Sequence, residues 1–470
     1  MRLLFLLTVS DEGGNFARMG KRVAKQSCVW AVVFLWPFLQ GCRSHPADGG
    51  QSATPAVQTN RAAGQNGSSN ILDRFSVGTN YYVGSTFYDS FYDSTNYIRL
   101  WQGYRSYLLS QQIQSASQGY RSMQQKWSAV TAPRGWAAIL AKYAVVRVYY
   151  ATDRLGDTNL PPGQVFGGRR GELSYGHCDV SIPRDHRMGE LEQPSIWKLE
   201  WSEDPEKHVV LLSLRAQSPE LFYSDVRSRV NGSRGRNALV FIHGYNVTFA
   251  DAARRTAQLS YDLAFDGAAV FYSWPSQGTL LGYPNDESNI EWTQSDLQKF
   301  LDDFALTSGA DNIYVIAHSM GNRALTRAFA ALVARDPAVR AKFRELILTA
   351  PDLDAAVFKR DIAPQILSER PLVTLYASVN DKALVASERF HGYPRLGDAG
   401  PGMVVLPGMD TIDASAVDTS FIGHSYFADN RSVLSDIFYL IRDGLPAGQK
   451  PRQGLELVGG AATAHWKINP

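Results

Sequence analysis

The chain reads as an α/β protein, a mostly parallel sheet with helices on both faces, and three observations predict it. Apolar runs of strand length recur at Ala238 to His243, Ala268 to Trp274, Ile313 to Ala317, Glu345 to Ala350 and Leu372 to Ser378. Between them lie longer stretches with helical periodicity, at Phe249 to Phe265, Glu291 to Leu306 and Asn322 to Ala334. Continuously apolar strands belong to sheets buried on both faces, and their alternation with amphipathic helices is the pattern of parallel crossovers. The third observation is Ala317-His318-Ser319-Met320-Gly321, which runs straight from a strand into a helix. So sharp a turn needs small residues two positions either side of the serine. It lifts the serine hydroxyl above the sheet and leaves the next backbone N–H free beside it. The plainer alternative is a strand–turn–helix with no chemistry.

The remaining elements follow in order. Val145 to Tyr150 and Gly176 to Ile182 are rich in β-branched and aromatic residues and read as strands. Trp197 to Trp201 and Val209 to Leu214 flank Asp204-Pro205-Glu206, the pattern of a hairpin. Trp274 to Glu291 reads as a loop, Met403 to Leu406 as a last strand and Arg431 to Arg442 as a helix. The link between Ala350 and Leu372 has room for one helix, so no large lid is expected over the serine. Residues 143–445 therefore make one domain, and 446–470, with Gly, Pro and Ala, read as a loose C-terminal tail.

The sequence before residue 143 has a different character. Lys21, Arg22 and Lys25 precede the apolar run Val29 to Leu39, and Leu39-Gln40-Gly41-Cys42 closes it. A basic, apolar, small-residue order is a secretory signal. Its end resembles a bacterial lipobox with Cys42 as the lipidated residue. The apolar run is too short to cross a bilayer, which needs about 20 residues. Residues 1–42 are thus a signal peptide, with Met19 an alternative start. Residues 43–70 are rich in Ser, Gly, Gln and Asn and read as a flexible tether. Residues 71–142 form an accessory segment crowded with tyrosines, including Tyr81, Tyr82, Tyr88 and Tyr92. This order predicts a lipoprotein of the bacterial cell envelope, held to the membrane through Cys42 and facing the periplasm or the exterior. With Cys28 removed and Cys42 acylated, Cys178 has no partner within the chain. Lys plus Arg number 47 against 45 for Asp plus Glu, a balance that offers nucleic acid no basic stripe.

A hydrolytic serine needs a base, a group that orients the base, and donors for an oxyanion. On such an elbow the chain order is serine, acid, histidine. After Ser319 the histidines are His391, His424 and His465. His465 falls in the tail and His391 precedes the last strand, which leaves His424, ahead of the final helix, as the base. Two acids stand after strands: Asp381, after the penultimate one, is preferred, and Asp352 is the alternative. Asp354 reads as a helix cap. The oxyanion donors are the backbone N–H groups of Met320 and of Tyr245, which follows a buried strand and Gly244. His243 braces that loop. No His-Glu-x-x-His, phosphate loop or dinucleotide fingerprint occurs, so neither a metal nor another cofactor is implied.

Phe241-Ile242-His243-Gly244-Tyr245-Asn246-Val247, Tyr272-Ser273-Trp274-Pro275-Ser276 and Ala317 to Asn322 occur in that order. They resemble a poorly characterised bacterial family of α/β-hydrolases described as esterase/lipase-superfamily proteins. Tyr149 to Arg154, Val180 to His186, Asp381 to Leu384 and Gly423 to Tyr426 extend the likeness. The resemblance implies an α/β-hydrolase fold over residues 143–445 and hydrolase chemistry but no substrate, since one fold hosts many reactions. With the triad above, the expected reaction is cleavage of a carboxylic ester of a small molecule or of the envelope. An amidase or peptidase with the same triad, and a catalytically silent lipoprotein that binds a partner, are the alternatives.

Overall fold

The computed structural model describes residues 143–469, apart from 195–199, 201, 368–370, 418–425, 450–451, 453 and 461–462. The expected signal, tether and Tyr-rich segment, Cys42 among them, lie outside the described residues.

One sheet runs through the described residues. Its strands are β1 (Tyr143–Gly156), β2 (Phe166–Pro183), β3 (Leu211–Gln217), β4 (Asn237–Ile242), β5 (Ala268–Ser273) and β6 (Asn312–His318). Then come β7 (Phe343–Thr349), β8 (Leu372–Ala377), β9 (Met409–Asp413), β10 (Leu455–Val458) and β11 (His465–Ile468). They lie in the order β10-β11-β9-β8-β7-β6-β4-β5-β1-β2-β3. From β1 across to β11 every neighbouring pair is parallel. The edges, β2 with β3 and β10, are antiparallel. The helices of ten or more described residues are α1 (Pro219–Asn231), α2 (Phe249–Asp262), α3 (Tyr283–Trp292), α4 (Gln294–Thr307), α5 (Gly321–Arg335), α6 (Lys382–His391) and α7 (Arg431–Asp443). The mostly parallel sheet with flanking helices is the class that the sequence predicts.

Both sheet faces are covered, which explains why the central strands lack polar alternation. Successive side chains of a strand point to opposite faces. In β4, Ala238, Val240 and Ile242 enter one core and Leu239 and Phe241 the other. The first core takes Phe222 from α1, Phe300 from α4 and Phe329 from α5. The second takes Ala253 and Leu259 from α2 with Leu434 and Ile437 from α7. Each Val, Leu, Ile or Phe among them stabilises the fold by roughly 1.5–3 kcal/mol when fully buried. Local signals agree with these ends. Ser218 and Thr248 cap α1 and α2, each accepting a backbone N–H three residues on.

Four local expectations are corrected. Residues 455–458 and 465–468, read as tail, are strands, and β11 pairs parallel to β9. Arg452 fixes this stretch through a bidentate pair with Asp436 of α7, at 2.9 Å for both bonds. The second arm of the expected hairpin belongs instead to β3, which pairs with β2; most of the first arm lies outside the described residues. The last strand before α7 is β9 rather than 403–406. The stretch read as a loop after Trp274 contains α3, whose buried residues are Asp286, Asn289 and Ile290.

The Val180 to His186 motif acquires a structural role. The His186 ring is buried between Asp262 of α2, at 3.0 Å, and Glu192, at 2.8 Å. Asp262 also accepts from Gly189 N–H and from Gln258, which reaches the Ala428 carbonyl at 3.2 Å. Burial alone would push the imidazole pKa down, but the charges and hydrogen bonds of Asp262 and Glu192 carry it up to about 10. A raised folded-state value stabilises the fold fully below the unfolded value of 6.5, and that contribution is lost as pH rises to about 10. Urea unfolding of wild type and His186→Gln should therefore show a stability gap that is widest below neutrality and closes towards about pH 10. A gap that stays constant across this range would contradict the buried charged imidazole.

Candidate active site

The topology brings the predicted serine to a favoured place. From β4 the chain moves to β5 on one side and then to β6 on the other. Ligands of open α/β sheets bind beyond the carboxyl ends of strands where the order reverses in this way. β6 ends at His318 and α5 begins at Gly321, so Ser319 occupies the turn between them. Its φ is +51°, the left-handed region, where a non-glycine residue costs on the order of 1–3 kcal/mol. The turn is held from below. Ser319 N–H donates to the Thr349 carbonyl at 3.0 Å, and its own carbonyl accepts from Asp352 N–H at 3.2 Å. Asn322 Nδ2 lies 3.1–3.2 Å from the carbonyls of Ala317, Ser319 and Thr349. A Cβ on Gly321 would stand 2.4 Å from the His243 carbonyl oxygen, which is why the second small position is needed.

The loop after β4 packs against the serine. A Cβ on Gly244 would lie 2.8 Å from Ser319 Cβ and 2.9 Å from His318 Nδ1, so this position admits only glycine. Among the described residues, neither Tyr245 N–H nor Met320 N–H donates to another group of the protein.

Buried polar residues brace this loop. The His243 ring stacks on Trp274 with centroids 5.0 Å apart. Its Nδ1 bonds the Gly244 carbonyl at 2.8 Å, which leaves Nε2 to accept from Ser273 Oγ at 3.1 Å. Burial, then the Arg154 charge, pushes the His243 pKa down to about 3, so the ring is neutral. Arg154 is itself buried. Its guanidinium donates to the carbonyls of Gly167, Ser276 and Val247, each at 2.9 Å, and to Ser273 Oγ at 2.8 Å. Asp286 of α3 accepts from Ser276 Oγ at 2.6 Å, Gln277 N–H at 2.7 Å and Asn246 N–H at 3.3 Å. Sequence reasoning missed Arg154 and Asp286 as parts of the site. Arg154 was visible only as the end of the Tyr149 to Arg154 motif, and Asp286 lay in a presumed loop.

The two candidate acids occupy different surroundings. Asp381 follows β8, is fully buried, and caps α6 by accepting from Ala383 and Leu384 N–H, both at 3.0 Å. Asp352 follows β7 and is also buried. Its carboxylate accepts from Arg323 Nη2 at 2.9 Å, Arg395 Nε at 2.7 Å, Tyr283 Oη at 2.9 Å and Ser387 Oγ at 2.5 Å. Burial would raise its pKa, but the two guanidinium charges and these bonds hold it down at about 2. Among the described residues none of its partners is an imidazole. Asp354 caps the helical segment that starts at Ala355, as expected.

The histidines divide similarly. His391, at the end of α6, bonds Glu287 at 2.7 Å and the Ser387 carbonyl at 2.8 Å. His465 begins β11, which three strands separate from β6. His424 falls between β9 and the short helix Tyr426–Asp429 and lies outside the described residues. The structure thus brings Ser319, Met320 and Tyr245 together and puts Asp381 two strands away, at the same edge of the sheet. Among the described residues no cluster of His, Cys, Asp and Glu could hold a metal ion, and no helix is long and apolar enough to cross a membrane.

The positive φ at Ser319 has a measurable consequence. Elsewhere in a folded chain, glycine is less favourable than alanine by about 0.4–1 kcal/mol through unfolded-state entropy. Here glycine relieves the left-handed strain, so Ser319→Gly should be at least as stable as Ser319→Ala in urea unfolding. An alanine variant more stable by about 1 kcal/mol would mean that the turn is unstrained.

Solved structures similar to the chain include a protein of the alpha/beta hydrolase superfamily from Xanthomonas campestris, at 12% identity. That match covers 44% of this chain and 99% of the other, with a TM-score of 0.25. A lipase-esterase related protein from Clostridium acetobutylicum is 11% identical over 45% of this chain and 96% of its own, with a TM-score of 0.26. Esterase 2 of Thermogutta terrifontis is 13% identical over 46% and 84%, with a TM-score of 0.25. No curated protein matches the chain. The fold is that of the α/β-hydrolases, and residues 219–443 match a family described as alpha/beta hydrolase of unknown function (DUF900).

Proposed function

We propose that the protein is a serine hydrolase of carboxylic esters, anchored to the bacterial cell envelope by lipid at Cys42. The observation that carries the reading is Ser319 held at φ +51° with Gly244 packed against its Cβ. Strain of this kind persists only where the surroundings enforce it, and it gathers at functional sites. In this reading Ser319 Oγ attacks the ester carbonyl and His424 takes its proton, later returning it to the leaving alcohol. Asp381 orients His424 and stabilises its charged form. The N–H groups of Met320 and Tyr245 hold the oxyanion, with the neutral His243 keeping the second of them in place. Asp352, already committed to two arginines, shapes the wall instead. The chemistry needs no cofactor.

Ser319→Ala should abolish ester turnover, by about 10⁶-fold if the triad acts as a unit, and should abolish labelling by a fluorophosphonate probe. Retained turnover, or a fluorophosphonate adduct mapped to another residue, would refute the assignment. Asp381→Asn should lower kcat far more than Asp352→Asn does; the reverse order would transfer the role to Asp352.

The anchor has its own test. The basic, apolar, Leu-x-Gly-Cys order motivates it, and stable attachment by multiple acyl chains is the physical gain. Wild-type cells fed a labelled fatty acid should yield membrane-bound, labelled protein, whereas Cys42→Ser should carry no label. A mature N-terminus elsewhere than Cys42 would remove the lipoprotein reading.

A further inference from the structure

Asp352 holds two arginines beside the elbow, and they differ in how fully their donors are used. Arg323 donates through Nε to the Asp352 carbonyl, through Nη1 to Glu287 and through Nη2 to Tyr283 Oη and the Asp352 carboxylate. Arg395 donates only through Nε, to Asp352 Oδ1 at 2.7 Å. Among the described residues its two Nη groups reach no acceptor, yet its side chain is only 4% exposed. Neither Nη is among the buried side-chain atoms that lack a partner, so this edge of the guanidinium reaches solvent and stays open to an acidic oxygen of a ligand.

The position of Arg395 says what the ligand serves. Leu396 N–H donates to the Leu353 carbonyl at 2.7 Å, Gly397 N–H to that of Pro351 at 3.0 Å, and Ser378 N–H to that of Gly397 at 2.9 Å. The segment carrying Arg395 therefore crosses the carboxyl edge of the sheet between the ends of β7 and β8. A closed circuit of contacts runs from Ser319 through Asp352 to Tyr283, on to Tyr245 with ring centroids 5.1 Å apart, and back through Gly244. Arg395 joins that circuit at Asp352. The single charge of Asp352 is shared by two guanidiniums, and Glu287 is bonded to Arg323 and His391 rather than to Arg395. The unused Nη groups form a planar fork, the geometry that matches two oxygens of a carboxylate or phosphate.

We propose that Arg395 recognises an anionic group on the substrate, so that the preferred ester carries a carboxylate or a phosphate. The proposal rests on the serine-hydrolase reading for its use, but its binding arm requires no turnover. Full-length Ser319→Ala is titrated calorimetrically with succinate and with inorganic phosphate, which separates the two oxyanion sources. At least one should bind, and adding Arg395→Gln should weaken it by about tenfold or more, as expected for a lost charged hydrogen bond. In the kinetic arm, kcat/KM for monoethyl succinate is compared with that for the neutral ethyl butyrate. The anionic ester should be favoured by about tenfold in wild type, the ratio falling towards unity in Arg395→Gln. Arg395→Lys, which keeps the charge beside Asp352 but not the fork, should fall between and decides the matter if the glutamine variant does not fold. An unchanged ratio in both variants, or anion binding indifferent to Arg395, overturns the proposal and leaves the hydrolase reading intact. Arg395-dependent anion binding without turnover of any ester upholds the site and overturns the hydrolase reading instead.

Discussion

Ser319 sits where a side chain does not rest willingly, and much of the sheet's central architecture keeps it there. Its N–H is held by the last residue of β7, its carbonyl by the residues that follow β7 and by the first turn of α5. Gly321 and Gly244 let β6, α5 and the β4 loop meet at distances that any Cβ would forbid. This close approach exists because β4, β6 and β7 are adjacent parallel strands, whose carboxyl ends deliver their loops to one place. The topology and the strained turn are therefore one constraint seen at two scales.

The loop opposite depends on a buried cation. Among the described residues Arg154 bonds no carboxylate; three carbonyls, a hydroxyl and the His243 Nε2 at 3.3 Å surround it in place of water. Burial lowers its pKa to about 10, which still leaves it charged at neutral pH. Beside it, His243 is kept neutral and has one ring nitrogen free to accept. These two facts support each other, because a protonated His243 would face the guanidinium as a second buried cation. The ends of β1, β4 and β5 are thereby tied by one residue at the side of the site away from β7.

Sequence reading succeeded where the cause was steric or periodic, and it missed what long-range polar contacts decide. The central strands were legible because both their faces are buried, and the elbow because few residues fit so tight a turn. α3 was missed because it turns Asp286 and Asn289 inwards and so lacks an apolar stripe. The tail was misread because its anchor is Arg452 on Asp436, a polar pair that no hydrophobic period announces. Arg154 in an apolar strand, like His186 after one, gave no sign of its partners, which come from 13–122 positions away for Arg154 and from 76 for the Asp262 of His186. The strained serine turn and the tight approach of the loop after β4 were readable, and Asp352 was picked out, whereas the arginines Arg323 and Arg395 that it holds were not.

That wall bears on what the site admits. Its floor is polar: Asp352, Arg323, Tyr283, Ser387 and Arg395 are linked by hydrogen bonds and salt bridges close beside Ser319. Two apolar side chains at its border stand outwards, Leu281 82% and Phe390 69% exposed. Phe390 lies edge-on to Tyr283, and the Leu280 carbonyl accepts from Tyr245 Oη, so both segments border the same wall. An alkyl chain pressed onto the floor would displace water from charged groups without replacing their hydrogen bonds, a loss set against roughly 0.8 kcal/mol for each buried CH₂. A short group displaces less of that water, and an anionic one offsets the cost by bonding the arginines itself. If Ser319 is the nucleophile, as proposed, the balance of burial against desolvation would favour compact polar substrates, through the arginines that Asp352 holds in place.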